Sequence, residues 1–183
     1  MAEGRVVLDL LEIISSLANK VQEICTGSGK RSCMKLADLL SPDLIFEIQA
    51  GSKNEVIEKL IAHLYERAPQ EIDQKSFLSA VLQRETLVST GIGGGVAIPH
   101  ARVELCTNFF MALALIHHPI EWGSVDEKPV NLVFLIGGPA NTPGSQRMQP
   151  EYLNILAEIT SKINKFPGLI LMNKSDLIKH LSE

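Results

Sequence analysis

From Met34 onward the sequence alternates between two kinds of hydrophobic spacing, and this alternation restricts the fold more than any other feature. Leu36 to Leu40 reads as a short helix ended by Ser41-Pro42, because a proline pushes its predecessor out of the helical region. Asp43 to Gln49 reads as a strand. Ser52-Lys-Asn-Glu55 is a capping-box signature, in which serine and glutamate satisfy each other's orphan backbone amides. Val56, Leu60, Ile61 and Leu64 then share one face of a helix that runs to about Arg67. Asp73 caps a second helix through about Arg84, with Phe77, Leu78, Val81 and Leu82 as its buried stripe. A glycine-rich loop follows, and then strands at 96–99, 109–117 and 130–136. A helix from about Pro150 to Asn164 carries Tyr152, Leu153, Leu156, Ile159 and Ile163. The tail offers a strand at 168–172 and a short helix capped by Ser175. Helices and strands interspersed in this way predict an α/β layered sandwich with a central mixed β-sheet flanked by helices.

Two domains of unequal weight are expected, a helical extension with its linker over 1–33 and a compact domain over 34–183. Val6, Val7, Leu10, Ile13, Ile14, Leu17, Val21 and Ile24 suit an amphipathic helix, and Thr26-Gly-Ser-Gly-Lys-Arg reads as a flexible connector. That segment is a docking or dimerising arm, a loosely attached helix, or sequence that precedes a natural start at Met34; the residues do not choose among the three.

Composition removes several function classes. A formal charge of -4 with no long basic stripe argues against nucleic acid, which is bound through clustered Lys and Arg. Asp9 and Glu12 interrupt the stretch where a signal peptide needs an unbroken apolar run. The strongest apolar runs, Phe109 to Ile116 and Val130 to Ile136, fall far short of the roughly 20 residues of a membrane helix. A cytoplasmic protein without membrane insertion is expected. Cys25, Cys33 and Cys106 match neither a zinc pattern nor a redox pair, so they read as free thiols.

The chemistry concentrates in Arg84-Glu-Thr-Leu-Val-Ser-Thr-Gly-Ile-Gly-Gly-Gly-Val-Ala-Ile-Pro-His100-Ala-Arg102. The amides of Gly93, Gly94 and Gly95 form a candidate anion receptor, since glycines leave backbone N–H groups unshielded. The loop lacks the Gly-Lys-Ser/Thr end of a P-loop, and Val96 stands where a dinucleotide fingerprint has glycine, which sets nucleotide binding aside. His100 follows a proline that stiffens the chain presenting it. Near neutral pH an imidazole is largely unprotonated and nucleophilic, suited to taking and releasing a phosphoryl group. Phosphoryl transfer asks for positioning and for cations or amide dipoles facing the oxygens, and Arg84 and Arg102 are the nearest candidates. Arg102 reads equally as a surface charge. No cofactor or metal is called for.

These residues carry a resemblance. Met34-Lys-Leu-Ala-Asp-Leu-Leu-Ser-Pro, the Arg84 to Gly93 run with Val-Ala-Ile-Pro-His100, Pro119-Ile-Glu-Trp122, Asp126, Pro129-Val-Asn-Leu-Val-Phe-Leu-Ile, Pro139-Ala140 and Tyr152-Leu-Asn-Ile-Leu-Ala together resemble the type-2 IIA domain of the bacterial phosphotransferase system. This is the fructose and mannitol class that includes the nitrogen-regulatory IIA proteins. The resemblance implies that His100 accepts phosphate from the carrier HPr, with Arg84 beside it. His100 would then donate to a cysteine on a separate IIB protein or serve, phosphorylated, as a regulatory signal. With no IIB, IIC or HPr segment evident in the chain, partners are expected in trans and regulation is favoured over sugar transport. One departure stands out: the family often has a second histidine where this chain has Tyr152, which can hydrogen-bond but carries no positive charge. The competing expectation is a non-catalytic binding module that keeps the fold and has lost phosphotransfer.

Other polar and aromatic residues read as structural. His117 and His118 are adjacent on a strand and point to opposite faces, so they do not converge on one ion. His63 and His180 are assigned no role, and Trp122 reads as core or edge packing.

Overall fold

A computed structural model describes residues 35–104, 106–140, 150–166 and 168–182; the expected extension over 1–33 and the connection at 141–149 lie outside the described residues. The expected sandwich is present. Its helices are α1 (Leu36–Leu39), α2 (Lys53–Arg67), α3 (Gln74–Leu87), α4 (Pro150–Lys165) and α5 (Lys174–Ser182). Its strands are β1 (Ile45–Ile48), β2 (Gly91–Gly93), β3 (Val96–Ala97), β4 (His100–Val103), β5 (Phe110–Ile120) and β6 (Val130–Pro139). The sheet runs β1-β5-β6-β3-β2, with β4 also on β6; β1–β5, β3–β6 and β4–β6 are parallel, and β5–β6 and β2–β3 antiparallel.

The two apolar runs form the central pair β5 and β6 because helices cover both faces of the sheet, so neither strand needs a polar side. Along β5, Phe110, Ala112, Ala114 and Ile116 enter the core built by α2 and α3, while Met111, Leu113 and Leu115 enter the core built by α1, α4 and α5. From α2, Val56, Ile57, Leu60, Ile61 and Leu64 are fully buried, each contributing about 1.5–3 kcal/mol by removal from water. Ser52 Oγ accepts from the Glu55 amide at 3.3 Å as the capping box requires, but the Glu55 carboxylate reaches one residue further back, to the Gly51 amide at 2.8 Å. Asp73 caps α3 through the Ser76 amide at 3.0 Å.

Several local expectations are corrected. Residues 169–171 form a 3-10 turn instead of a strand. A strand would hide Leu169 and Leu171 together, whereas Leu169 is 1% and Leu171 83% exposed. The cap of α5 is Asn173, whose Oδ1 accepts from the Asp176 amide at 3.0 Å, rather than Ser175, which lies inside the helix. The face of α4 that turns inward is Tyr152, Ile155 and Ile159, with Leu153 only half-buried. Helix α3 runs one turn past Arg84, and its buried stripe is Phe77, Val81 and Glu85; Leu78 and Leu82 are only partly covered.

The expected strand at 96–99 also continues to Val103. β3 and β4 hold the same register on β6, Val96 facing Leu132 and His100 facing Ile136. Pro99 between them has no N–H, and the ladder is kept through its carbonyl, which accepts from the Ile136 amide at 3.0 Å. β2 flanks β3 alone. At β4 the sheet edge is therefore open, and the C-terminal part of α3 packs there.

Candidate functional site

Strand alternation decides what β4 presents. Ala101 and Val103 enter the α2–α3 core, so His100 and Arg102 point the other way, toward α4. There Tyr152 meets both: its ring lies 5.6 Å from the imidazole, centroid to centroid, and the Arg102 guanidinium sits 5.5 Å from the Tyr152 centroid. Arg84 comes from α3 across the open edge. His100, Arg84 and Arg102 line one open cleft of about 310 Å³ with Ala80, Gln83, Leu87 and Ala101. Leu87 and the neighbouring Val88 are 74% and 66% exposed, an apolar rim beside a cationic floor.

The imidazole is held in one tautomer. Its Nδ1 lies 2.9 Å from the Ile98 carbonyl oxygen, which can only accept, so Nδ1 carries the hydrogen and Nε2 keeps the lone pair. Burial above all lowers the pKa of His100 below its ordinary 6.5. Arg84 and Arg102 lower it further, and the Ile98 hydrogen bond and the Glu85 charge act against them. A neutral imidazole whose Nε2 keeps its lone pair, in a cleft lined by two guanidinium groups, can act as a nucleophile in a field that attracts an anion.

Tyr152 is 3% exposed, and its hydroxyl is buried with no hydrogen-bond partner among the described residues. Burial raises its phenol to about 12, while Arg102 and Arg84 pull the other way, so the ring stays neutral at physiological pH. Phe109 stacks behind it at 6.3 Å and 20°. An unpaired buried hydroxyl is costly, and beside an imidazole it can donate to an oxygen that enters the cleft.

The predicted residues divide. His100, Arg84, Arg102 and Tyr152 come together; Gly93, Gly94 and Gly95 do not join them. The triplet forms the β2–β3 turn with φ of 92°, 62° and 77°, a geometry that requires glycine. Four residues in extended conformation separate Gly95 from His100, five steps of about 3.3 Å or roughly 16 Å. Two of the turn's polar groups are already engaged: the Gly94 amide donates to Asp126 at 2.9 Å, and the Gly95 carbonyl accepts from Asn131 and Leu132. The glycines serve the turn, at the far end of the strand from the imidazole.

Glu85 and Thr90 were not singled out from sequence, yet both are 5% exposed and hydrogen-bonded together beneath the site. A signal was available, because Glu85 continues the i, i+4 series Phe77, Val81 into the core, where an isolated carboxylate has no reason to be. Trp122, 1% exposed, donates from Nε1 to Thr90 Oγ1 at 3.2 Å, a core role as expected. His117 lies 3.5 Å from Glu47, and His63 stacks on Phe46 at 5.2 Å, both away from the cleft. Among the described residues, no group of three or more His, Cys, Asp or Glu converges as metal ligands, and no helix is long and apolar enough to cross a membrane.

Comparison with known proteins points to one group. The family model described as "Phosphoenolpyruvate-dependent sugar phosphotransferase system, EIIA 2" matches residues 38–183. The chain is 30% identical over 133 residues to a nitrogen regulatory protein of Pseudomonas aeruginosa, covering 72% of this chain and 82% of that one. The crystal structure of nitrogen regulatory protein IIA-Ntr from Neisseria meningitidis superposes with a TM-score of 0.65 at 25% identity, over 80% of this chain and 98% of that one. A complex of enzyme IIA mannitol with phosphorylated enzyme IIB mannitol from Escherichia coli has a TM-score of 0.62 at 19% identity, over 78% of this chain and 96% of that one, a likeness of fold.

Proposed function

We propose that this chain, which belongs to the EIIA 2 family of the phosphoenolpyruvate-dependent sugar phosphotransferase system, accepts a phosphoryl group on Nε2 of His100 and passes it on or displays it as a regulatory signal. The observation that carries this reading is the Nδ1 contact with Ile98, which leaves Nε2 unprotonated in an open cleft between Arg84 and Arg102. In the transfer, the phosphorus–nitrogen bond of a phosphohistidine carrier breaks and its electron pair stays on the donor ring. The Nε2 lone pair of His100 forms the new bond, and the proton stays on Nδ1, donated to the Ile98 carbonyl oxygen. Arg84 and Arg102 offset the charge on the phosphoryl oxygens as they pass between the two rings.

The donor in this reading is an HPr-type carrier in the cytoplasm, and residues 34–183 are the unit that receives from it. The acceptor is a cysteine on a IIB protein or a regulated target; Leu87 and Val88 supply the apolar rim on which either partner docks. The nitrogen regulatory proteins among its relatives favour regulation over sugar transport. Incubation with phosphoenolpyruvate, enzyme I and HPr should place acid-labile phosphate on the chain. A chain that stays unlabelled with competent donors is instead a binding module on the same fold, the reading that Tyr152 keeps open.

Tyr152 sharpens the distinction. Its neutral hydroxyl donates to a phosphoryl oxygen in the loaded state and is unsatisfied in the empty one. Tyr152→Phe should therefore leave the empty protein as stable as before or up to about 1–3 kcal/mol more stable, while shortening the lifetime of the phosphorylated form. Equal lifetimes for the two would take the hydroxyl out of the site. Tyr152→His should speed onward transfer, and an unchanged rate would mean that the position has no part in it.

Arg84 is tested through rate and pH together. Arg84→Ala should slow labelling by about 10²-fold, the usual loss when one stabilising donor is removed from a transition state. It should also move the acid limb of the labelling profile to higher pH, because the guanidinium is one of the charges holding His100 below 6.5. Normal labelling with an unmoved limb would exclude Arg84 from the site.

A further inference from the structure

We infer that Glu85 is a positioning residue that fixes the tautomer of His100 through Thr90 and Ile98, an inference that rests on His100 being the phosphoryl acceptor. The chain of contacts is continuous. Glu85 projects from α3 into the core at the position after Val81 in the buried stripe, and a carboxylate there is tolerated only with partners. It takes the Thr90 hydroxyl on Oε2 at 2.5 Å and the Thr90 amide on Oε1 at 3.2 Å, with Lys53 Nζ at 3.5 Å beside Oε1. The Trp122 indole donates to the same hydroxyl. Thr90 is therefore clamped through both its backbone and its side chain.

Its carbonyl passes the constraint on, accepting from the Ile98 amide at 3.0 Å. Ile98 precedes Pro99, which confines it to extended conformations. The position of its carbonyl is consequently set by the Thr90 anchor on one side and the proline on the other. That carbonyl is the acceptor for His100 Nδ1. If it drifts, Nε2 can carry the hydrogen instead, and a ring protonated there has no lone pair for phosphorus. The other groups that face His100 do not hold the tautomer: Arg84 from α3 and Arg102 from β4 bring charge, and Tyr152 from α4 brings a neutral ring.

A second role, bracing the turn that follows α3, would also make Glu85 matter for stability, so stability alone cannot test the inference. The direct readout is the 15N spectrum of the His100 ring in unphosphorylated protein above pH 7. Wild type should show one neutral tautomer with hydrogen on Nδ1. Glu85→Gln, which offers Thr90 one acceptor oxygen where two donors need one each, should lose that single signature and populate both tautomers. Thr90→Val should do the same, and Thr90→Ser should restore the wild-type pattern. Labelling by HPr should fall in step with the fraction of ring carrying hydrogen on Nε2. If Glu85→Gln or Thr90→Val is folded by its amide spectrum and keeps the full Nδ1–H tautomer, the inference is overturned, and a folded Thr90→Ser variant that loses it overturns it equally. Should Glu85→Gln not fold, Thr90→Val, which removes one hydroxyl and keeps the volume, decides alone. The ring spectra need no phosphate donor, so failure of wild-type labelling would count against the acceptor reading and leave the tautomer measurement standing.

Discussion

With His100 replaced by alanine, the chain takes up no acid-labile phosphate from phosphoenolpyruvate, enzyme I and HPr. The expected loss is complete because no other histidine has its setting. Of the five in the chain, His63 and His117 pair with Glu66 and Glu47, and a carboxylate beside the ring repels a phosphoryl group. His118 is exposed on β5, and His180 lies against Phe166 on α5. The fold should survive: the variant gives up one hydrogen bond to the Ile98 carbonyl, about 1 kcal/mol, or roughly 2–4 °C in melting temperature. Its acid behaviour should also differ. The folded chain resists protonation of His100, so wild-type stability is intact above 6.5 and declines as pH falls below it, where the unfolded chain binds the proton more readily. The alanine variant lacks that component and should lose less stability on acidification. Label persisting in the variant would place the acceptor elsewhere and remove the basis of the proposed mechanism.

The second large effect is steric. A methyl group on Gly138 would sit 2.3 Å from the Phe109 ring, and one on Gly137 would sit 2.0 Å from the Phe110 ring. These glycines end β6 under two aromatic rings that lie on opposite faces of the sheet, Phe110 toward α2 and α3 and Phe109 toward α4. Neither ring has room to retreat, since both are more than nine-tenths buried. Overpacking of this kind costs about 1–3 kcal/mol or more, so Gly138→Ala and Gly137→Ala should each lower the melting temperature by several degrees, roughly 2–4 °C per kcal/mol. Function should separate them. Phe109 is the surface on which Tyr152 stacks, and Tyr152 in turn meets His100 and Arg102, whereas Phe110 packs on Phe77. At a temperature where both variants are folded, Gly138→Ala should label more slowly than Gly137→Ala. Equal rates would show that the Phe109–Tyr152 stack does not position the site.

Much of this architecture was readable in the chain because local chemistry specifies it. The ends of α2 follow from Ser52 and from the residues before Pro69, and the central strands follow from two apolar runs too short for a membrane and too uniform for an amphipathic helix. Over 168–172 the sequence does not distinguish a strand from a 3-10 turn, because alternation and a single such turn look alike over five residues; what separates them is that Asn131 on β6 donates to the Ile170 carbonyl at 2.6 Å, a contact 39 residues away in sequence.

The site shows the same division. The run from Arg84 to Arg102, with its proline, histidine and two arginines, supplied the candidate nucleophile and candidate cations from residues close together in the chain. It also placed the glycine triplet with them, because in sequence the triplet is only five residues from His100; an extended strand turns that proximity into distance, and the pairing of β3 and β4 with β6 is what keeps it extended. Conversely, Glu85 and Thr90 matter through burial, and burial depends on which face of α3 meets the sheet. Residue identity thus determined which groups can do the chemistry. Only the packing of distant elements decided which of them meet, which tautomer the imidazole holds and which hydroxyl is left waiting, because each of those depends on contacts that no local stretch of chain contains.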